Sequence, residues 1–217
     1  MNYIGSKKSL LDFLEKSIYQ VVGKKDFTFL DLFAGTGIVG QHFKKKGHKV
    51  IANDLQYYSF VLNKNYIENH EVLKFLGLEN ELADFKKIDY EKRADFVCNF
   101  LDNLELKEGF IYKNYCLGGT KNKKFERQYF SDENGKKVDA IREKVEEWKN
   151  ENKINNNEYY FLLATLIENV DKVANTASVY GAFLKQLKKT AQQSFLMKPA
   201  DFVFNEIEHH VYNEDIE

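Results

Sequence analysis

The chain of 217 residues has little cysteine, almost no proline and no excess of either charge. Its two cysteines, Cys98 and Cys116, have no C-x-x-C neighbour, which excludes a zinc finger or ribbon and argues against a disulfide framework. Two reduced thiols are the expectation. Pro199 is the single proline, so a Pro-Pro pair occurs nowhere in the chain. Lys and Arg total 32 against 33 Asp and Glu, a net charge of −1, so any nucleic-acid binding has to come from a local patch. No apolar run approaches the ~20 residues that span a bilayer. The opening MNYIGSKKSLLDFLEK carries charge inside any would-be hydrophobic stretch, unlike a secretory signal. No membrane, no metal and a cytoplasmic location are therefore expected.

What is present is a glycine-rich bend. Residues 27–40 read FTFLDLFAGTGIVG, a short apolar strand running into Gly35-Thr36-Gly37-Ile38-Val39-Gly40. A second strand pattern, HKVIAND, ends on Asp54. Strand, glycine turn, helix, strand and terminal acid form the first half of a Rossmann-type nucleotide site. Gly35 and Gly37 lack a Cβ and let the backbone turn sharply against a ligand. Asp54 stands where ribose hydroxyls would be accepted. This pattern predicts an adenosine-containing cofactor without saying which.

Around it, residues 9–22 place Leu10, Leu11, Leu14, Ile18, Val21 and Val22 at helical spacing, an amphipathic helix expected to pack on a core. Residues 27–33 read as a strand buried on both faces. Helices are expected over 39–46 and 57–69, with a strand at 49–53 between them. From about 71 to 195 strand signals nearly vanish. Val138, Ile141, Val145 and Trp148 mark one helix; 157–173 and 182–193 mark two more. Residues 108–135, rich in Gly, Asn, Lys and aromatics, read as a loop. A strand returns at His210-Val211-Tyr212-Asn213. The fold class expected is α/β: a partial Rossmann-like sheet holding a large, mainly helical insertion. The segments are 1–70 and 196–217 for the sheet and 71–195 for the insertion, where substrate recognition would sit.

Several stretches resemble Dam-like DNA adenine methyltransferases. Asn2-Tyr3-Ile4-Gly5-Ser6-Lys7 resembles the family's N-terminal motif. Asp31-Leu32-Phe33-Ala34-Gly35-Thr36-Gly37 resembles its D-x-F-x-G-x-G cofactor loop, and Asn53-Asp54 the acid after its second strand. Arg127-Gln128-Tyr129-Phe130, the helix at 141–148 and the segment 175–185, NTASVYGAFLK, resemble the insertion of one branch. The resemblance implies methyl transfer from S-adenosylmethionine to the exocyclic amine of adenine in double-stranded DNA, within a restriction–modification or related system. It implies that Tyr3 and Lys7 touch the methionine end of the cofactor. Asp31, Phe33, Ala34, Gly35, Thr36 and Gly37 would form the wall, Asp54 would hold the ribose, and Asp215 the cofactor's adenine. The candidate DNA contacts, read from the lysine clusters and the aromatics among them, are Lys121, Lys123, Lys124, Arg127, Tyr129, Tyr180 and Lys185. Lysines near aromatics suit phosphate contacts plus base stacking, although lysine runs are as often merely solvated. His209-His210 is not read as a metal pair, because neighbours on a strand point to opposite faces.

One departure stands out. The family's catalytic Asp-Pro-Pro-Tyr cannot occur in a chain with one proline. That motif's acceptors localise the lone pair of the poorly nucleophilic adenine amine, and its aromatic stacks on the flipped base. No catalytic residue is therefore assigned. The expectation is an N-terminal portion, inactive alone: part of a split enzyme whose C-terminal partner fragment carries the motif, a frameshifted remnant, or a deliberately shortened chain. Two alternatives remain open on the residues: a non-catalytic DNA-binding or specificity subunit, and an NAD-type oxidoreductase using the same glycine fingerprint.

Overall fold

Phe29 and Phe43 lie with ring centroids 4.3 Å apart, and Phe27 stacks on His48 at 4.0 Å. These aromatics seat the first helix of a βαβ unit on its sheet. The computed structural model describes residues 5–177, 184 and 186–216. A 3-10 turn at Lys7–Leu10, capped by the Ser6 hydroxyl, leads into α1 (Leu11–Val22). Then come β1 (Thr28–Asp31), α2 (Ile38–Lys45), β2 (Lys49–Asn53) and α3 (Tyr57–Asn63). The helix widens at once into a π turn, Lys64–Glu68, where the Asn69 N–H donates to Lys64 O five residues back. The third strand of the sheet, β3 (His210–Tyr212), comes from the far end of the chain. Sheet order is β1-β2-β3, all parallel, with Asp31 opposite Ala52 and Asn53 opposite Tyr212. Residues Tyr3–Val72 and Asp201–Glu217 make this unit. Gly40 is where α2 meets the rest: a Cβ there would lie 2.9 Å from Ile67 Cδ1.

The second unit, Leu73–Ala200, is helical. It contains α4 (Tyr90–Asp102), α5 (Phe110–Tyr115), α6 (Leu117–Thr120), α7 (Asp132–Asn150) and α8 (Asn156–Val173), with 3-10 turns at Leu76–Leu78, Phe85–Lys87 and Lys189–Gln192. Val138, Ile141, Val145 and Trp148 form the buried face of α7, as their spacing predicts. Trp148 stacks on Phe100, and its indole N–H donates to Glu81 at 2.6 Å. Asn155 and Glu158 form a reciprocal capping box at the start of α8. The returning segment is held by polar side chains of α7 and α8. Asn134 bonds both Gln193 O and Phe195 N, Asn169 donates to Lys198 O, and the Thr165 hydroxyl accepts from Ala200 N.

Four expectations need correction. β1 is not buried on both faces: none of its four residues is buried, and Leu30 is 54% exposed. The apolar stripe of α1 contributes no buried residue, and Val21 is 86% exposed. Residues 108–135 are not all loop. The α7 carboxylates cap two short helices there: Asp139 accepts from Ile111 N and Tyr112 N, both at 2.8 Å, and Asp132 from Gly118 N at 2.9 Å. Caps supplied from another helix leave no local trace in sequence. The helix expected over 182–193 falls partly outside the described residues; within them only the turn at Lys189–Gln192 is helical.

Candidate functional site

The carboxyl ends of the three parallel strands meet at one corner, and tight backbone geometry organises it. Gly35 and Gly37 have φ of 54° and 76°, the left-handed region that favours glycine. Gly37 N–H donates to Ala34 O at 2.9 Å, closing the turn, and α2 begins at the next residue. Ala34 N–H in turn donates to Asn53 O at 3.0 Å, tying the turn to β2.

Asp54 stands directly against this turn. Its Oδ2 accepts from Gly35 N–H at 2.7 Å and its Oδ1 from Gln56 N–H at 2.9 Å. Asp31 lies within electrostatic reach of both Lys7 and Asp54. Burial raises the Asp31 carboxyl above its ordinary value, the Lys7 ammonium and the Phe33 N–H oppose this, and the Asp54 carboxylate adds to it. Phe33, 70% exposed, and Leu55 present apolar surface beside these polar groups. Ala34 is buried and Thr36 half-buried. Asp215 is exposed just past β3. Tyr3 lies outside the described residues.

Sequence reasoning singled out no asparagine, yet three build this corner. Asn53 Nδ2 donates to Glu214 O at 3.0 Å, and its Oδ1 accepts from Glu214 N at the same distance. Asn213 Nδ2 donates to Asp54 O at 2.7 Å. Asn63 Nδ2 donates to Gly35 O at 2.9 Å. The one available signal was a polar amide ending the apolar run SFVLN. Below the sheet, Lys44 is buried, with its ammonium on Tyr66 O and Asn69 O, and burial lowers its pKa to about 7. His209 accepts from Val50 N through Nδ1; burial, with Lys44 nearby, lowers it to about 4.

In the helical unit, Lys121, Lys123, Lys124, Arg127 and Tyr129 are exposed. Lys123, Lys124 and Arg127 share an open hollow of about 200 Å³ with Asn114, Thr120 and Phe125. Lys123 Nζ donates to Lys113 O and Arg127 to Asn114 O, so both cations sit on the carbonyl end of α5. The Arg127 guanidinium lies over the Tyr115 ring and Lys124 over Phe125. Tyr129 packs edge-on against Phe130 at 4.8 Å. Lys121 does not line the hollow. Tyr180 and Lys185 fall outside the described residues. Cys98 and Cys116 are free and buried, and burial raises both thiols. Among the described residues no group of three or more His, Cys, Asp or Glu could hold a metal, and no helix is long and apolar enough to cross a membrane.

A parallel sheet with a glycine turn after β1 and an acid after β2 defines the class as an α/β protein with a Rossmann-like βαβ start. Residues 3–216 match the profile of the D12 class N6 adenine-specific DNA methyltransferases, and the chain belongs to that family. The chain is 51% identical over 218 aligned positions to Type II methyltransferase M.NlaIII of Neisseria lactamica, covering 99% of this chain and 58% of that protein. It is 37% identical to Type II methyltransferase M.FokI of Planomicrobium okeanokoites, covering 99% of this chain and 31% of the relative. To Type II methyltransferase M.CviAII of Paramecium bursaria Chlorella virus 1 it is 32% identical, covering 99% and 59%. The chain thus spans between about three tenths and three fifths of these relatives. No solved structure matches it significantly. Family membership removes the oxidoreductase alternative.

Proposed function

We propose that the chain provides the S-adenosylmethionine-binding and DNA-reading parts of a site-specific DNA adenine methyltransferase of a restriction–modification system. The observation that carries the reading is the Asp54 carboxylate held 2.7 Å from the Gly35 amide at the carboxyl edge of the sheet. Parallel sheets bind ligands at that edge.

The donor set suits this cofactor. Asp54 keeps lone pairs free for a vicinal diol beyond the two it spends on backbone amides. The Lys7 ammonium matches a free amino-acid carboxylate, with Tyr3 beside it in sequence. Asp31 adds an acceptor at the mouth, and Phe33, Ala34, Gly35, Thr36 and Gly37 wall the ligand. Asp215 serves the adenine end. Bound, the cofactor supplies a methyl group on a sulfonium, for which these residues contribute position and charge complementarity.

Residues 71–195 act as the target-recognition part, with 1–70 and 196–217 forming the cofactor part. Lys121, Lys123, Lys124, Arg127 and Lys185 contact phosphates, while Tyr129 and Tyr180 offer stacking faces. Asp-Pro-Pro-Tyr is not among these 217 residues. In this reading the amine-activating groups belong to polypeptide outside them, and these residues alone bind cofactor without transferring methyl.

Titration calorimetry with S-adenosylmethionine and with NAD tests the cofactor. Saturable one-to-one binding of the first alone is expected; binding of NAD alone overturns the reading. Duplex binding at several salt concentrations tests the recognition part. Replacing Lys123, Lys124 and Arg127 with Gln should flatten the salt slope by about 0.9 per lost phosphate contact, and an unchanged slope removes these residues from the DNA interface.

A further inference from the structure

We infer that Asn63 is a positioning residue for the glycine turn; the inference rests on the reading of that turn as the cofactor site. Asn63 closes α3 and is 1% exposed. Its Nδ2 donates to Gly35 O at 2.9 Å and to Ser59 O at 2.8 Å. Two carbonyl acceptors converging on one atom require it to be the nitrogen.

The Gly35 residue is therefore held at both ends. Asp54 accepts from its N–H and Asn63 donates to its C=O. These two bonds fix the rotation of this residue about φ and ψ, which a glycine, able to adopt either sign of φ, does not fix by itself. The other end of the amide meets the next glycine: a Cβ on residue 37 would fall 2.4 Å from Asn63 Oδ1. That oxygen has no hydrogen-bond partner among the described residues, although its residue is buried. An apolar side chain would avoid leaving a buried acceptor unpaired, so the amide is retained at a cost that packing alone does not explain.

The consequence concerns Asp54. If the Gly35 peptide rotates, Asp54 loses its best-aligned amide, and its free lone pairs no longer face a ribose at the turn. Asn63 touches no ligand; it acts through Gly35 and Asp54. Asparagine is specific here. Aspartate has the same shape but would aim lone pairs at two carbonyl oxygens.

The test uses Asn63→Asp and Asn63→Ala in the same 217-residue chain. Calorimetry with S-adenosylmethionine and with adenosine is expected to show Kd raised tenfold or more for both ligands in Asn63→Asp, with an unchanged circular-dichroism spectrum. Amide exchange in the ligand-free protein gives a readout independent of binding: Gly35 N–H protection should fall tenfold or more in Asn63→Ala while β2 amides keep theirs. A Gly37→Ala change should weaken binding less in the Asn63→Ala background than alone, because the clashing oxygen is gone. Wild-type binding with unchanged affinity in Asn63→Asp overturns the positioning role and leaves the site reading intact. Should Asn63→Asp fail to fold, unchanged Gly35 protection in Asn63→Ala overturns it instead. Absence of wild-type binding overturns the site reading, and this inference with it.

Discussion

Replacing Asp54 with Asn removes charge while keeping volume. A carboxylate has about four lone-pair positions. Gly35 N–H at 2.7 Å and Gln56 N–H at 2.9 Å take two, leaving two for a diol. An amide has a single oxygen. If that oxygen stays on Gly35, the new NH2 opposes Gln56 N–H; if it turns to Gln56, the turn loses its anchor. Hydrogen bonds to charged groups contribute about 1.5–3 kcal/mol each. Losing one outright and weakening another should cost roughly 2–4 kcal/mol, about 30- to 1,000-fold in Kd at 1.4 kcal/mol per tenfold. Titration calorimetry with S-adenosylmethionine and its 2′-deoxy analogue reads this directly. The analogue, already lacking one hydroxyl, should lose less than the parent on going to the variant. A folded Asp54→Asn chain that binds the parent as tightly as wild type refutes the ribose assignment.

Burial lowers Lys44 from its ordinary value to about 7, so between there and ~10.5 the unfolded chain holds a proton that the folded chain does not. Stability therefore rises with pH across that window: urea unfolding should show wild type gaining about 2 kcal/mol from pH 7 to 9 relative to Lys44→Met, and parallel curves would contradict this. His209, lowered to about 4, adds a separate rise from about pH 4 to 6.5 and nothing above; a His209→Gln chain should lack that lower rise. Asp139→Asn keeps one acceptor for two amides, Ile111 N and Tyr112 N. It should lower unfolding free energy by about 1–3 kcal/mol and reduce protection of the α5 amides in hydrogen exchange.

The βαβ start was legible because each signal there is local. Continuous apolar character marks β1 and β2, glycines mark the turn, and Asp54 ends the second strand within one short stretch. The return strand His210–Tyr212 was also readable, from three residues of strand pattern before an acidic tail. What escaped was non-local. Asp139 and Asp132 make helices of a glycine- and lysine-rich stretch only because α7 carries their carboxylates across to α5 and α6. The exposure of Leu30 depends on what packs on that face of β1, which an apolar run cannot encode. Asn63 is distant from the glycine turn in sequence, and its amide meets Gly35 only after α3 has folded. Its one local mark, a polar amide at the end of the apolar run SFVLN, carries no information about its partner.

The most direct measurement is a crystal structure of this chain grown with S-adenosylmethionine. The account predicts ribose hydroxyls on the Asp54 carboxylate, the amino-acid carboxylate beside Lys7 and the Gly35–Gly37 backbone against the ligand. Ligand bound elsewhere, or Asp54 still engaged only by Gly35 and Gln56 at saturating concentration, would contradict it.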